Sequence, residues 1–179
     1  MWKMKRKTRY WVRRALMLIM VGAVALAIYK TLDDGEQQTV DEGMEAPDFQ
    51  LQTLDGKEMK LSELQGQAVL LNFWATWCEP CRDEMPAIQK VYEKHRDKGL
   101  EVVGVNIAES QLTVKGFVRQ LDLTFPIVFD KERKVVDQYR IGPIPTSLFI
   151  DSDGKVVRMV KGQMDEAQIE NYVLEALSR

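Results

Sequence analysis

The residues of this chain best suited to chemistry by type and spacing are Cys78-Glu79-Pro80-Cys81, which hold the only two cysteines among 179 residues. They follow the apolar run Leu70-Leu71-Asn72-Phe73-Trp74 and precede a helix-favouring segment. That order predicts a dithiol at a strand-to-helix turn. A helix N-terminus leaves backbone N–H groups unpaired and carries partial positive charge. A thiolate is stabilised there, and its pKa falls to roughly 3.5–7.5 in such motifs. Cys78 is therefore expected at or just before the first turn, exposed, as the nucleophile. Cys81 lies nearly one turn on and is expected as the resolving thiol. Pro80 has no N–H to leave unpaired in a first turn. Glu79 adds a negative charge beside Cys78 that opposes thiolate formation. The expected chemistry is thiol–disulfide exchange, with the cysteine pair itself as redox centre and no further cofactor.

Two other uses of a CxxC pair fit less well. Four-coordinate zinc needs two further ligands; no other cysteine exists, and His95 is the sole histidine. A purely structural disulfide normally closes a longer loop, because a two-residue gap gives little entropic stabilisation. His95 itself is expected to face solvent on its helix, without a role.

The elements that must position the pair read as mixed α/β. Asp48–Leu51 and Lys57–Lys60 flank Leu54-Asp55-Gly56 and predict an N-terminal hairpin. Ser62–Gln65 predicts a helical turn, and Ala68–Phe73 a buried strand. Cys81–Lys98 predicts a long helix closed by Gly99. Strand Leu100–Ile107, helix Leu112–Leu121, strand Pro126–Phe129 and helix Lys134–Tyr139 follow. Thr146–Ile150 and Val156–Lys161 flank Asp153-Gly154 as a second hairpin. Asp165 caps a terminal amphipathic helix ending at Leu177. This alternation implies a central mixed sheet covered on both faces.

The N-terminus reads differently. Residues 1–14 are basic, with Lys3, Lys5, Arg6, Lys7, Arg9, Arg13 and Arg14 and no acid. Ala15–Tyr29 runs fifteen residues without a charge before Lys30. That is short for a hydrocarbon core of about 30 Å, but snorkelling Arg13, Arg14 and Lys30, with Trp11 and Tyr29 at the interfaces, makes up the difference. Residues 15–30 are thus expected as one transmembrane signal-anchor and 1–14 as a cytoplasmic flank, with the rest extracytoplasmic. A cleaved signal peptide ending at Ala25-Leu26-Ala27 is the rival, and the bulky Ile28-Tyr29 after it argues against cleavage. Residues 31–45 read as an acidic linker and 46–179 as one domain. Residues 1–30 hold eight of the chain's 25 Lys and Arg and none of its 27 Asp and Glu, so the remainder carries about −10. An acidic domain does not suggest a nucleic-acid partner, and none is expected.

The whole pattern resembles the thioredoxin superfamily, and within it the membrane-anchored ResA-like thiol–disulfide oxidoreductases of cytochrome c maturation. The resemblance rests on the anchor, Ala46-Pro47-Asp48-Phe49, Leu61-Ser62-Glu63-Leu64, Asn72-Phe73-Trp74, Trp77-Cys78-Glu79-Pro80-Cys81, Glu84, Pro86 and Gly142-Pro143-Ile144-Pro145-Thr146. It implies a thioredoxin-like α/β fold in which Pro145 is a cis-proline facing the disulfide. A proline there cannot donate a hydrogen bond, and it leaves the backbone of Ile144 open to an extended substrate held along Ile144–Thr146. The resemblance also makes Glu84 the carboxylate that relays the proton of Cys81, an assignment that suits its i,i+3 spacing. Trp77, Glu79 and Pro80 are expected to border the substrate, Trp74 to lie in the core, and Pro86 to kink its helix. The implied substrate is the oxidised CxxCH segment of apocytochrome c, and the implied electron donor is a transmembrane thiol carrier of the CcdA type. The motif alone also admits a broad-specificity reductase or a disulfide-forming oxidase. A peroxiredoxin would need Pro and Thr or Ser where Leu71 and Ala75 stand. A copper-handling assembly protein would need a CxxxC spacing and a distal histidine.

Overall fold

The computed structural model describes the backbone of residues 6–33 and 40–179, and the side chains of 10–26 and 40–179. The basic residues from Lys3 to Arg9, the interfacial Tyr29 and Lys30, and the acids from Asp33 to Glu36 lie outside the described side chains. The chain divides into two compact units, Met1–Gln38 and Thr39–Arg179.

The described part of the first unit is the helix α1 (Arg6–Asp33). Its apolar side chains from Leu16 to Leu26 are exposed. Among the described residues, no helix is long and apolar enough to cross a membrane. The charge-free stretch is fifteen residues, against about 20 for a full span.

The second unit is a seven-stranded sheet. Its strands are β1 (Gln50–Thr53), β2 (Glu58–Lys60), β3 (Ala68–Trp74), β4 (Leu100–Ile107), β5 (Ile127–Asp130), β6 (Thr146–Ile150) and β7 (Val156–Lys161). They lie in the order β2-β1-β5-β4-β3-β6-β7. β3, β4 and β5 run parallel, and the outer pairs are antiparallel, so the sheet is mixed as expected. Every residue of β3 is buried, which requires cover on both faces. Alternation sends Leu70 and Trp74 to one core with α2 (Glu79–His95), α3 (Gln111–Gln120) and α5 (Glu166–Leu177). It sends Val69, Leu71 and Phe73 to the other, with Phe49, Leu61 and α4 (Lys134–Gln138). This is the thioredoxin-like arrangement of a central mixed sheet between helices, with an N-terminal β-hairpin.

Three details differ from expectation. The first hairpin strand begins at Gln50 rather than Asp48, because Phe49 turns into the core against Tyr139 while Asp48 accepts from Ser62 N–H at 2.9 Å and so fixes the adjoining 3₁₀ turn. The long helix begins two residues early, at Glu79, because Cys78 itself caps it. Residues 40–45, expected in the linker, belong to the folded unit. Gly43 N–H donates to Val156 O at 2.7 Å and Val156 N–H to Met44 O at 2.8 Å, and Glu45 bridges Lys155. The segment thereby covers the free edge of β7, which would otherwise offer unpaired backbone groups.

His95 is also not where the sequence reading put it. It is 2% exposed, at the buried end of α2, with Nε2 3.0 Å from Glu170 Oε1 of α5. Its spacing after Ile88 and Val91 continues the buried stripe of α2, so helical periodicity carries it under α5.

Candidate active site

β3 ends at Trp74, and the chain turns through Ala75-Thr76-Trp77 into α2. Cys78 takes extended backbone angles (φ −84, ψ 106) at the N-cap of α2, and its Sγ accepts from Cys81 N–H at 3.3 Å. A cap that ends in sulfur has a use beyond capping, because the same N–H and helix-end field stabilise a thiolate when the pair is reduced. The two sulfurs form a disulfide of 2.04 Å with Cα atoms 5.3 Å apart. Cys78 is only 6% exposed and Cys81 1%. The expectation of an exposed Cys78 is therefore corrected for the oxidised form: α2 packs its first turn into the core, and Cys78 Sγ faces the Ile144 carbonyl at 3.7 Å. Glu79 and Pro80 occupy the exposed outer side of the first turn. Trp77 stands 70% exposed beside the disulfide, a flat apolar face turned to solvent. Trp74 is fully buried, as expected.

The opposite wall is the loop before β6. Ile144-Pro145 is the cis peptide of the domain. Pro145 O is taken by Gly162 N–H at 2.8 Å, but Ile144 makes no backbone–backbone hydrogen bond. Ile144 thus offers a backbone edge next to Cys78. Thr146 does not offer its side chain: it is buried, and Oγ1 donates to Pro143 O at 2.7 Å. The hydroxyl instead closes its own loop, so any part Thr146 has at the site falls to its backbone.

Glu84 sits one turn past Cys81 on the sheet-facing side of α2. It is 1% exposed, and neither carboxylate oxygen has a hydrogen-bond partner. Burial pushes its pKa from 4.5 up to about 8. A carboxyl that changes protonation near neutrality, one turn from a thiol, is suited to proton exchange with that thiol. Pro86 lies on the exposed side, and α2 continues through it as one element.

Two polar groups of the site have no role in the sequence reading, where Asn72 stands only as part of a motif and Glu109 does not figure. Asn72, on β3 beneath the turn, donates from Nδ2 to Ser147 Oγ at 2.9 Å across the β3–β6 register. Glu109, in the β4–α3 loop, accepts from Thr76 N–H at 2.7 Å, Thr76 Oγ1 at 2.5 Å and Asn106 Nδ2 at 2.8 Å. Asn72 was legible as a polar residue inside an apolar run. Glu109 is harder to see: Asn106 lies three residues before it, but Thr76, which it holds with two contacts, lies in another loop.

The arrangement supports two-electron exchange with an incoming disulfide: a capped sulfur, a resolving sulfur three residues on, a neutralisable carboxyl and an open backbone edge. The chain matches the AhpC/TSA family over residues 43–159. It is 39% identical over 170 residues to the thiol-disulfide oxidoreductase ResA of Bacillus subtilis, covering 95% of this chain and 94% of the relative. The thiol-disulfide oxidoreductase ResA of Bacillus cereus is 41% identical over 169 residues, covering 94% of this chain and 96% of the relative. Among solved structures, a Chlorobium tepidum protein assigned as thiol:disulfide interchange protein DsbE superposes with a TM-score of 0.73 at 35% identity, covering 78% of this chain and 99% of the other. A disulfide-ready Cys78–Cys81 pair on this fold, in a chain alike to ResA along nearly its whole length, places the protein both in the AhpC/TSA family and among the ResA-type thiol–disulfide oxidoreductases.

Proposed function

We propose that this oxidoreductase works as a reductase on the outer side of the cell membrane, where it reduces the CxxCH disulfide of apocytochrome c during cytochrome c maturation. The observation that carries the reading is the pairing of a dithiol with the buried, unpartnered Glu84. The Cys78 thiolate attacks one sulfur of the substrate disulfide, forming a mixed disulfide and expelling a substrate thiolate. Cys81 then gives its proton to the Glu84 carboxylate and attacks Cys78 Sγ, releasing the second substrate thiolate. Two electrons pass to the substrate, and the Cys78–Cys81 bond returns. Ile144 holds the substrate backbone, while Trp77, Glu79 and Pro80 border it. Pro145 and Thr146 shape the loop that presents Ile144. A transmembrane thiol carrier of the CcdA type re-reduces the pair.

Helix α1 is the proposed single-pass anchor. Support comes from the exposed apolar side chains of 16–26 and from the basic flank before them, whose snorkelling must make up for a charge-free stretch of only fifteen residues. The basic flank stays cytoplasmic. Retention of the chain in the membrane pellet after alkaline carbonate extraction is expected; release into the supernatant would remove the anchor.

The reduction potential of the pair tests the direction of electron flow. A value near −270 mV, about that of thioredoxin, fits a donor of electrons. A value near about −120 mV would make the protein an oxidase and overturn the proposal. The substrate is tested by oxidised CxxCH peptide against the same peptide with His replaced by Ala. Peroxide reduction is the less favoured activity despite the family match, because Leu71 and Ala75 stand where a peroxidatic loop needs Pro and Thr or Ser.

A further inference from the structure

We propose that Glu109 is a positioning residue for the exchange reaction: its carboxylate clamps the Ala75–Trp77 turn and thereby fixes the substrate-facing Trp77 and the N-cap Cys78. The inference rests on the thiol–disulfide exchange activity alone and holds whichever disulfide is the natural substrate. Three donors converge on this one side chain: Thr76 N–H at 2.7 Å, Thr76 Oγ1 at 2.5 Å and Asn106 Nδ2 at 2.8 Å. Asn106 is fully buried at the end of β4, directly opposite Trp74 of β3 in the register. The clamp therefore runs from the rigid sheet, through Asn106, to Glu109, and on to the turn that leads to the disulfide.

The backbone is bent to aim it. Ala108 has φ 54, a left-handed conformation that L side chains enter at a cost. Its N–H is held by Asp130 O at 3.1 Å. A strained residue directly before the three-point acceptor is the kind of conformation that persists where the surroundings over-determine it. Ala75 and Cys78 at the ends of the turn are buried, but between them Thr76 and Trp77 have few other holds. Cys78 N–H donates to Ala75 O at 3.2 Å, and Trp77 is exposed. With the Thr76 contacts removed, Trp77 and Cys78 keep their identities but lose a fixed relation to the Ile144 edge. The cost then falls on substrate alignment, where small displacements matter, rather than on the fold.

The test uses the full chain in detergent, reduced, with a synthetic peptide carrying one intramolecular CxxC disulfide as the probe. Glu109→Ala removes all three contacts. Glu109→Gln removes the charge but keeps an acceptor for Thr76 N–H and a donor for Thr76 Oγ1. KM for the peptide is expected to rise about tenfold in Glu109→Ala and by less than threefold in Glu109→Gln, with kcat within threefold of the parent in both. Thr76 amide exchange is expected to accelerate in the alanine variant alone. An unchanged KM in a folded Glu109→Ala protein overturns the proposal, since a merely structural contact would lower the melting temperature and leave KM alone. An equal rise in both variants overturns it too, because charge rather than the clamp would then be responsible.

Discussion

Glu84→Gln gives the sharpest test of the site, because the structure fixes both the sign and the size of the effect. In the oxidised protein the Glu84 carboxyl titrates near 8 rather than at 4.5, owing to burial. Between those values the unfolded chain has released the proton and the folded chain still holds it. Folding stability therefore falls as pH rises across this window, by about 1.4 kcal/mol per pH unit. It is fully present below pH 4.5 and levels off above about pH 8. From pH 5 to pH 8 the loss integrates to about 3–4 kcal/mol. A carboxamide cannot ionise, so Glu84→Gln lacks this slope while keeping the shape of the neutral acid. Its own buried amide adds a pH-independent offset that cancels in the comparison. Glu101, also raised by burial, is present in both proteins and cancels as well. The assay is urea unfolding of the oxidised domain from Thr39 at pH 5, 6, 7 and 8. With an m-value of roughly 2 kcal/mol/M, the wild-type midpoint is expected to drop about 2 M relative to the variant over that range. Parallel pH dependence of the two proteins would show that Glu84 titrates normally, and the proton-relay role would fall with it.

Cys81→Ala is expected to stall at the mixed disulfide with substrate through Cys78, seen as a stable adduct by intact mass; normal turnover would take the resolving role away from Cys81. Trp77→Ala changes an exposed side chain, so its stability effect is expected within about 0.5 kcal/mol, while KM for a disulfide peptide rises about fivefold from lost stacking. Gly104→Ala is expected to destabilise by about 1–3 kcal/mol in denaturant titration, because a Cβ there would lie 2.6 Å from Ile127 Cδ1, 3.0 Å from Trp74 Nε1 and 3.2 Å from the Phe125 ring.

Much of the fold was legible because its signals are local. The strands Leu100–Ile107, Thr146–Ile150 and Val156–Lys161 form as the sequence predicts. Asp165 caps α5 by accepting from Gln168 N–H at 2.8 Å, a bond that its position before an amphipathic run already implied. The misplacements have non-local causes. Phe49 reads as part of a strand, yet it delays the start of that strand by packing against Tyr139, far along the chain. Residues 40–45 read as an acidic linker by composition, yet backbone pairing with β7 outweighs composition once that edge exists. Glu109 was invisible because its two contacts with the active-site turn go to Thr76, which only the sheet brings near.

The buried stripe of α2 shows how the same pattern can hide one residue and disclose another. Cys81, Glu84, Met85, Ile88, Val91 and His95 recur at helical spacing, and all are buried. Two of them, Glu84 and His95, are titratable groups at positions that local pattern would fill with apolar residues. Such conflicts persist only where something offsets them. For His95 the offset is visible, since Nε2 meets Glu170, whose carboxyl is held below its usual range by Lys94 and His95. Its polarity thus joins α2 to α5, and no chemistry need be invoked. For Glu84 no partner exists in the oxidised protein, so its desolvation is uncompensated. An uncompensated carboxyl one turn from a disulfide stabilises the oxidised protein in neither charge state. That difference between two residues of one helical face is the physical reason to propose Glu84, and not His95, for the redox cycle.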